Sequence, residues 1–68
     1  MSSKFSENLK TLRKEADLTQ SQLAGKIGTT QRKISYLESG KIEPDMTTLM
    51  QLAKFFNVRT DYLLGLEE

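Results

Sequence analysis

The sequence contains no cysteine and no histidine, so neither a disulfide framework nor a Cys/His zinc site is available. It has no apolar run near the roughly 20 residues that a membrane-spanning helix needs. The first ten residues, MSSKFSENLK, are too polar for a signal peptide. These absences predict a cytoplasmic protein without a membrane association. Its stability is expected to come from packed helices, helped by a partner subunit where one is present.

Groups that perform catalysis are also scarce. Besides histidine and cysteine, the sequence lacks clustered carboxylates and a glycine-rich phosphate loop after a strand. We therefore expect that the protein is not an enzyme. For the same reason we expect no cofactor, no metal site and no small-molecule ligand.

Positive charge is concentrated in the middle third of the chain. The net charge is only +1, but residues 18–42 hold four cations and one acid, whereas the remainder holds six cations and eight acids. On composition alone, an ordinary solvated surface is the better interpretation of this stretch. Binding of a polyanionic partner becomes the better interpretation only if the side chains around the cations form a binding pattern.

Apolar residues recur at helical spacing along the chain, and no segment shows the alternation typical of a half-buried strand. Spacings of four, three and four residues predict a first helix over residues 5–16, with an inner face of Phe5, Leu9, Leu12 and Ala16. Further helices are expected over residues 20–27, 31 to about 39, 47–56 and 61–65. We therefore predict one all-α domain, residues 1–68, that forms a compact bundle of five short helices.

Polar caps and helix-ending residues set these boundaries. Thr19-Gln20-Ser21-Gln22 forms a capping box for the second helix. Gly28 ends that helix in the left-handed conformation, and the threonines after it offer a new cap. Asp45 or Thr47 is expected to cap the fourth helix and Thr60 the fifth. Three apolar residues of the second half are expected to lie inward, namely Ile42, Met46 and Met50.

Two short helices joined by a tight turn with glycine are typical of a helix-turn-helix, here over about residues 19–39. The helices must cross closely, and the small residue Ala24 permits that. The turn needs a left-handed residue four positions later, which is Gly28. Ile34 and Leu37 are expected to anchor the third helix from behind.

The outer face of the third helix carries side chains suited to reading DNA bases. Glutamine pairs bidentately with adenine and arginine with guanine in a major groove about 12 Å wide. The candidates are Gln31, Arg32, Ser35 and Tyr36, with Lys33 on the flank. Tyr36 has an alternative role, covering the edge of the core. Three further residues are placed to contact backbone phosphates, namely Gln20, Thr30 and Lys41.

With these features the chain resembles the lambda-repressor-like family of helix-turn-helix proteins, also called the phage-repressor or XRE family. The segment LTQSQLAGKIGTTQRKISYLESGK matches the family's core nearly throughout. The pattern P-D-x-x-T-L-x-x-L-A-K-F-F-N-V-x-x-D-Y-L-L-G matches its C-terminal half. The resemblance covers roughly Leu9 to Gly65. It implies a domain that binds double-stranded DNA.

The resemblance also implies roles for single residues. The family's main base-reading positions fall on Gln31, Arg32 and Tyr36, with Lys33 and Ser35 as neighbours. Its phosphate-contacting glutamine, which also braces the recognition helix, corresponds to Gln20. The positions that grip the DNA backbone after this helix correspond to Ser39 and Lys41.

Two other parts of the family pattern concern charge. Arg13 and Glu38 match a pair that in some members forms a partly buried salt bridge between the first and third helices. Such a pair would neutralise the one acid of the basic stretch. Some phage members have basic residues in the loop after the recognition helix, whereas this chain has Glu43 and Asp45. A minor-groove or phosphate contact from the acidic part of that loop, Glu43 to Asp45, is therefore not expected.

The sequence thus predicts a sequence-specific DNA-binding transcriptional regulator, with repression as the expected effect. One such domain reads few base pairs, so we expect a homodimer on a near-palindromic operator, with half-sites about 34 Å apart. The dimer contacts are expected at Val58, Arg59 and Tyr62, although Tyr62 has intramolecular packing as an alternative. The competing hypothesis is a helical protein-interaction module, such as an antitoxin or anti-repressor. Both a complete regulator and the N-terminal part of a longer one fit the sequence.

Overall fold

The computed structural model describes residues 3–66, which form five helices and no strand. The helices are α1 (Ser3–Glu15), α2 (Gln20–Ile27), α3 (Gln31–Ser39), α4 (Met46–Phe56) and α5 (Thr60–Leu64). The predicted all-α, five-helix architecture is therefore confirmed. None of the helices within this range is long and apolar enough to cross a membrane.

Local sequence determines where α2 and α3 begin. The Thr19 hydroxyl accepts a hydrogen bond from the Gln22 backbone N–H at 3.0 Å, and the Gln22 side chain accepts one from the Thr19 N–H at 2.9 Å. This is the predicted capping box. At α3, the Thr30 hydroxyl accepts from the Lys33 N–H at 3.2 Å. Both helices thus begin where their caps satisfy backbone donors that have no partner within the helix.

Three helix ends differ from the prediction. Helix α1 ends at Glu15, and Asp17 turns the chain with a φ of 58°. Ala16 was predicted to lie on the inner face of α1, but it follows the helix and is exposed. Asp45 takes the cap position of α4, but its side chain makes no capping hydrogen bond. At α5 the cap position belongs to Arg59, whose carbonyl accepts from the Leu63 N–H at 3.2 Å, so Thr60 is already helical.

A single apolar core lies between the helices. Helix α3 packs against α1 and α2, while α5 packs against α1 and α4. The fully buried side chains of this core are Leu9, Leu23, Ile34, Leu37, Leu52 and Leu63.

Three apolar residues lie outside the core, contrary to the prediction. Met46 is 71% exposed and Met50 is 58% exposed, because each stands two residues before the buried Thr48 and Leu52, and residues two apart do not share a side of a helix. Ile42 is 36% exposed in the loop after α3. The two methionines therefore do not fill gaps in the core.

Alanine substitutions at Gly25, within α2, and at Gly28, which follows it, are expected to change the stability in opposite directions. Gly25 is an exposed helical residue, and a Cβ added there would have no atom within 4 Å. Gly25→Ala should therefore raise the free energy of unfolding by about 0.5–1 kcal/mol. Gly28 ends the helix with a φ of 75°. Gly28→Ala should lower the free energy of unfolding by about 1 kcal/mol, because alanine disfavours that conformation.

Urea unfolding followed by circular dichroism measures both variants, and each serves as the control for the other. Equal effects of the two substitutions would contradict the assignment of Gly28 as the left-handed residue of the turn.

Candidate nucleic-acid interface

Helices α2 and α3 meet in the tight geometry of a helix-turn-helix. The two helices pack against each other, Ala24 of α2 is buried, and its carbonyl accepts hydrogen bonds from the N–H groups of Gly28 and Thr29. These bonds close the C-terminus of α2. The turn is only three residues long, from Gly28 to Thr30, because α3 begins at Gln31.

One side of helix α3 packs into the core, and the other side faces solvent. Ile34 and Leu37 are fully buried in the core. On the other side, Gln31 and Arg32 are exposed. Three further side chains of the predicted reading face are half-buried, namely Lys33, Ser35 and Tyr36.

A buried ion pair joins α1 to the end of α3. The Arg13 guanidinium donates from Nε to Glu38 Oε2 at 2.6 Å and from Nη2 to Glu38 Oε1 at 3.1 Å. Its Nη1 donates to the Leu18 carbonyl at 2.6 Å. The hydrogen bond with Glu38 raises the pKa of Arg13 above its ordinary value. The structure thus brings together the two residues that the resemblance pairs, and the one acid between residues 18 and 42 has a counter-ion.

Hydrogen bonds extend from this ion pair to the first residue of α3. Gln20 Nε2 donates to Glu38 Oε1 at 3.1 Å, and Gln20 Oε1 accepts from Gln31 Nε2 at 2.7 Å. Each end of the Gln20 amide therefore has a fixed partner, which sets its orientation. Through it, the Gln31 amide is held in one orientation at the exposed start of α3.

The C-terminal end of α3 places Ser39 and Lys41 near Tyr36. The Ser39 hydroxyl donates to the Tyr36 carbonyl at 3.1 Å, and the Lys41 N–H donates to the same carbonyl at 2.9 Å. The Lys41 ammonium lies 5.2 Å from the centroid of the Tyr36 ring, which is cation–π distance. The two predicted phosphate contacts after α3 thus lie beside a predicted base-reading residue.

Lys33 has partners that the sequence did not reveal. Its ammonium donates to Asp45 Oδ1 at 3.1 Å and to Thr48 Oγ1 at 3.0 Å. Hydrogen bonds from Thr48 and from Lys33 lower the pKa of Asp45 from 3.8 to about 2. Asp45 and Thr48 are three residues apart at the start of α4, a spacing that also fits ordinary helix capping, so the sequence alone did not point to Lys33.

The predicted dimer residues form a separate surface at the turn between α4 and α5. Val58, Arg59 and Tyr62 line one shallow depression together with Leu12 and Asn57. Val58 is half-buried, while Arg59 and Tyr62 are exposed. Among the described residues, no group of three or more carboxylate, histidine or cysteine side chains could hold a metal ion.

Comparison with known proteins gives matches over most of the chain. A family model described as helix-turn-helix matches residues 9–63. The uncharacterized HTH-type transcriptional regulator YqaE of Bacillus subtilis is 45% identical over 60 residues, which cover 88% of this chain and 52% of YqaE. The HTH-type transcriptional activator BcrR of Enterococcus faecalis is 45% identical over 64 residues, covering 94% of this chain and 31% of BcrR. The chain spans about half of YqaE and about a third of BcrR.

A solved structure has the same arrangement of helices. The P22 c2 repressor, in complex with a synthetic operator, superposes with a TM-score of 0.87 at 28% sequence identity. The superposition covers 93% of this chain and 96% of the repressor chain.

Proposed function

The chain belongs to the lambda-repressor-like helix-turn-helix family of transcriptional regulators, and from that premise we propose that it binds double-stranded DNA in a sequence-specific way. The observation that carries this proposal is the exposed start of α3. There Gln31 is held by Gln20, next to the exposed Arg32. A base-reading amide that is already oriented loses less freedom on binding.

In this proposal α3 lies in the major groove. Gln31 and Arg32 form hydrogen bonds with base edges, and Ser35 and Tyr36 contact the adjacent bases. Lys33 is the fifth predicted base-reading residue. Its ammonium is bonded to α4, so a base contact would require it to leave Asp45 and Thr48.

Phosphate contacts would fix the position of α3 in the groove. Gln20 and Thr30 lie at the N-terminal ends of α2 and α3, where backbone N–H groups and the helix dipole attract anions. Ser39 and Lys41 lie at the other end of α3. Contacts at both ends of the helix would hold it along the groove.

We propose a homodimer because one recognition helix reads too few base pairs for tight binding. The depression at Val58, Arg59 and Tyr62 is the proposed contact between subunits. A two-fold dimer would bind a near-palindromic operator with half-sites about 34 Å apart. Repression is the proposed effect, supported by the likeness to the P22 c2 repressor. Because BcrR is named an activator, a promoter–reporter assay has to determine the sign of regulation.

Selection of bound sites from a random double-stranded DNA pool tests the proposal. We expect enrichment of a two-fold symmetric sequence, with half-site centres about one helical turn apart. Titration of the selected site at several salt concentrations should show a logarithmic affinity that falls linearly with the logarithm of the salt concentration. A shuffled site is the control for sequence preference. No enriched sequence and no dependence of binding on salt would overturn the proposal.

A further inference from the structure

Lys33 is a cation of the recognition helix that is bonded to another helix. Its ammonium donates to the carboxylate of Asp45 and to the hydroxyl of Thr48. A hydrogen bond with Thr48 also contributes to the low pKa of the Asp45 carboxyl. The two bonds of the Lys33 ammonium join α3 to the start of α4, and we call them the Lys33 clamp.

Asp45 is the cap residue of α4, but its carboxylate bonds to Lys33 and not to the backbone of that helix. At the start of a helix, an aspartate normally accepts a hydrogen bond from the backbone two or three residues later. Thr19 and Thr30 do this for their helices, whereas Asp45 makes no such bond. Its carboxylate faces back toward α3 and accepts from Lys33 over a separation of 12 residues.

A lysine of the recognition helix that has no intramolecular partner is free to contact DNA phosphates, and such contacts do not depend on the base sequence. An ammonium that reaches a phosphate releases a counter-ion and strengthens binding to every sequence alike. Such a contact raises the affinity for non-specific sites, which vastly outnumber operators in a genome. Holding Lys33 on α4 would therefore lower the affinity for operator and non-specific DNA by the same factor, and weaken the dependence of binding on salt.

We propose that Asp45 limits the sequence-independent part of the DNA affinity, by keeping the Lys33 ammonium on α4 and out of contact with DNA phosphates. This inference rests on the proposed function, since it needs DNA binding. Asp45 acts through Lys33 and is therefore a positioning residue. Thr48, which is buried, fixes the second hydrogen bond of the ammonium.

The test replaces Asp45 by serine, which is too short to reach Lys33 in the same way and is as good a helix cap as aspartate. We expect Asp45→Ser to raise the affinity for non-specific DNA about two- to fivefold, the effect of one exposed ion pair. The logarithmic salt slope should become steeper by about 0.9, the value for one additional phosphate contact. The ratio of operator to non-specific affinity should stay unchanged, since a phosphate contact strengthens both equally.

Two matched variants isolate the clamp from the loss of a negative charge. Glu43→Ser makes the same type of substitution at an exposed acid in the same loop, and it should leave the salt slope unchanged. Asp45→Ser combined with Lys33→Met should return the slope to the wild-type value. If Asp45→Ser and Glu43→Ser behave alike, the proposal is overturned. It is also overturned if the double variant keeps the steeper slope of Asp45→Ser, because Lys33 would then not be the source of the added phosphate contact.

A measurement on the free protein separates failure of this inference from failure of the proposed function. In an NMR titration, the Asp45 carboxyl should have a pKa of about 2, and Lys33→Met should raise it toward the ordinary 3.8. An unchanged pKa in Lys33→Met would show that the clamp is absent. Wild-type protein that binds no DNA would overturn the proposed function itself.

Discussion

Glu38→Ala is expected to lower the free energy of unfolding by about 3 kcal/mol, because it leaves Arg13 buried without a counter-ion. The two side chains are only 11% and 3% exposed, so water does not replace the lost carboxylate. Gln20 would lose a partner as well. Arg13 keeps its bond to the Leu18 carbonyl, which places the effect at the lower end of the range for broken buried pairs. For a domain of this size, that is much of the total stability.

Urea unfolding monitored by circular dichroism measures this effect. Glu43→Ala is the matched control, since it removes an exposed acid and should change the free energy of unfolding by less than about 0.5 kcal/mol. Replacing both partners, Arg13→Met with Glu38→Leu, should recover much of the loss, because no unpaired charge then remains buried. A loss in Glu38→Ala no larger than that in Glu43→Ala would contradict the importance of the pair.

Gln31→Ala combined with Arg32→Ala is expected to reduce operator affinity by about 10²- to 10⁴-fold. Each good base contact accounts for about 1–3 kcal/mol of discrimination, and the variant would remove two. Both side chains are exposed, so the fold should remain intact. Binding to non-specific DNA should change much less, since Gln31 has no charge and only one cation is lost.

Titration of the selected operator and of a shuffled site, with wild type and variant side by side, measures the loss of specificity. Lys54→Ala is the matched control, because it removes one exposed cation from α4 and leaves α3 intact. The protein-interaction hypothesis makes a different prediction for the double variant. Unchanged DNA affinity together with loss of binding to a protein partner would favour that hypothesis over DNA reading.

Sequence predicted the helices well because their limits depend on nearby residues. The capping box of Thr19 and Gln22 spans four positions, and Gly28 ends α2 through its own backbone conformation. The pairing of Arg13 with Glu38 came from the family resemblance, since helical spacing does not reveal a contact across 25 residues. Local residues thus predicted the helix boundaries, whereas the contact between α1 and α3 was predicted from the resemblance to a known family.

Other features depended on the packing of whole helices. Met46 and Met50 repeat at the spacing of a buried stripe, yet the buried side of α4 runs through Thr48 and Leu52. The Lys33 clamp joins residues 12 and 15 positions apart, and an aspartate at a helix start is normally interpreted as a cap. Only the arrangement of α3 against the start of α4 reveals that Lys33 is its partner.

The bonds of Glu38 have a consequence for dividing or transplanting this chain. Glu38 accepts hydrogen bonds from Arg13 of α1 and from Gln20 of α2. An excised fragment of residues 19–39 would keep the bond from Gln20 but lack the guanidinium, together with the apolar contacts of Leu9. A graft of α2 and α3 alone onto another protein would therefore leave Glu38 without its counter-ion. Helix α1 has to be transferred together with them.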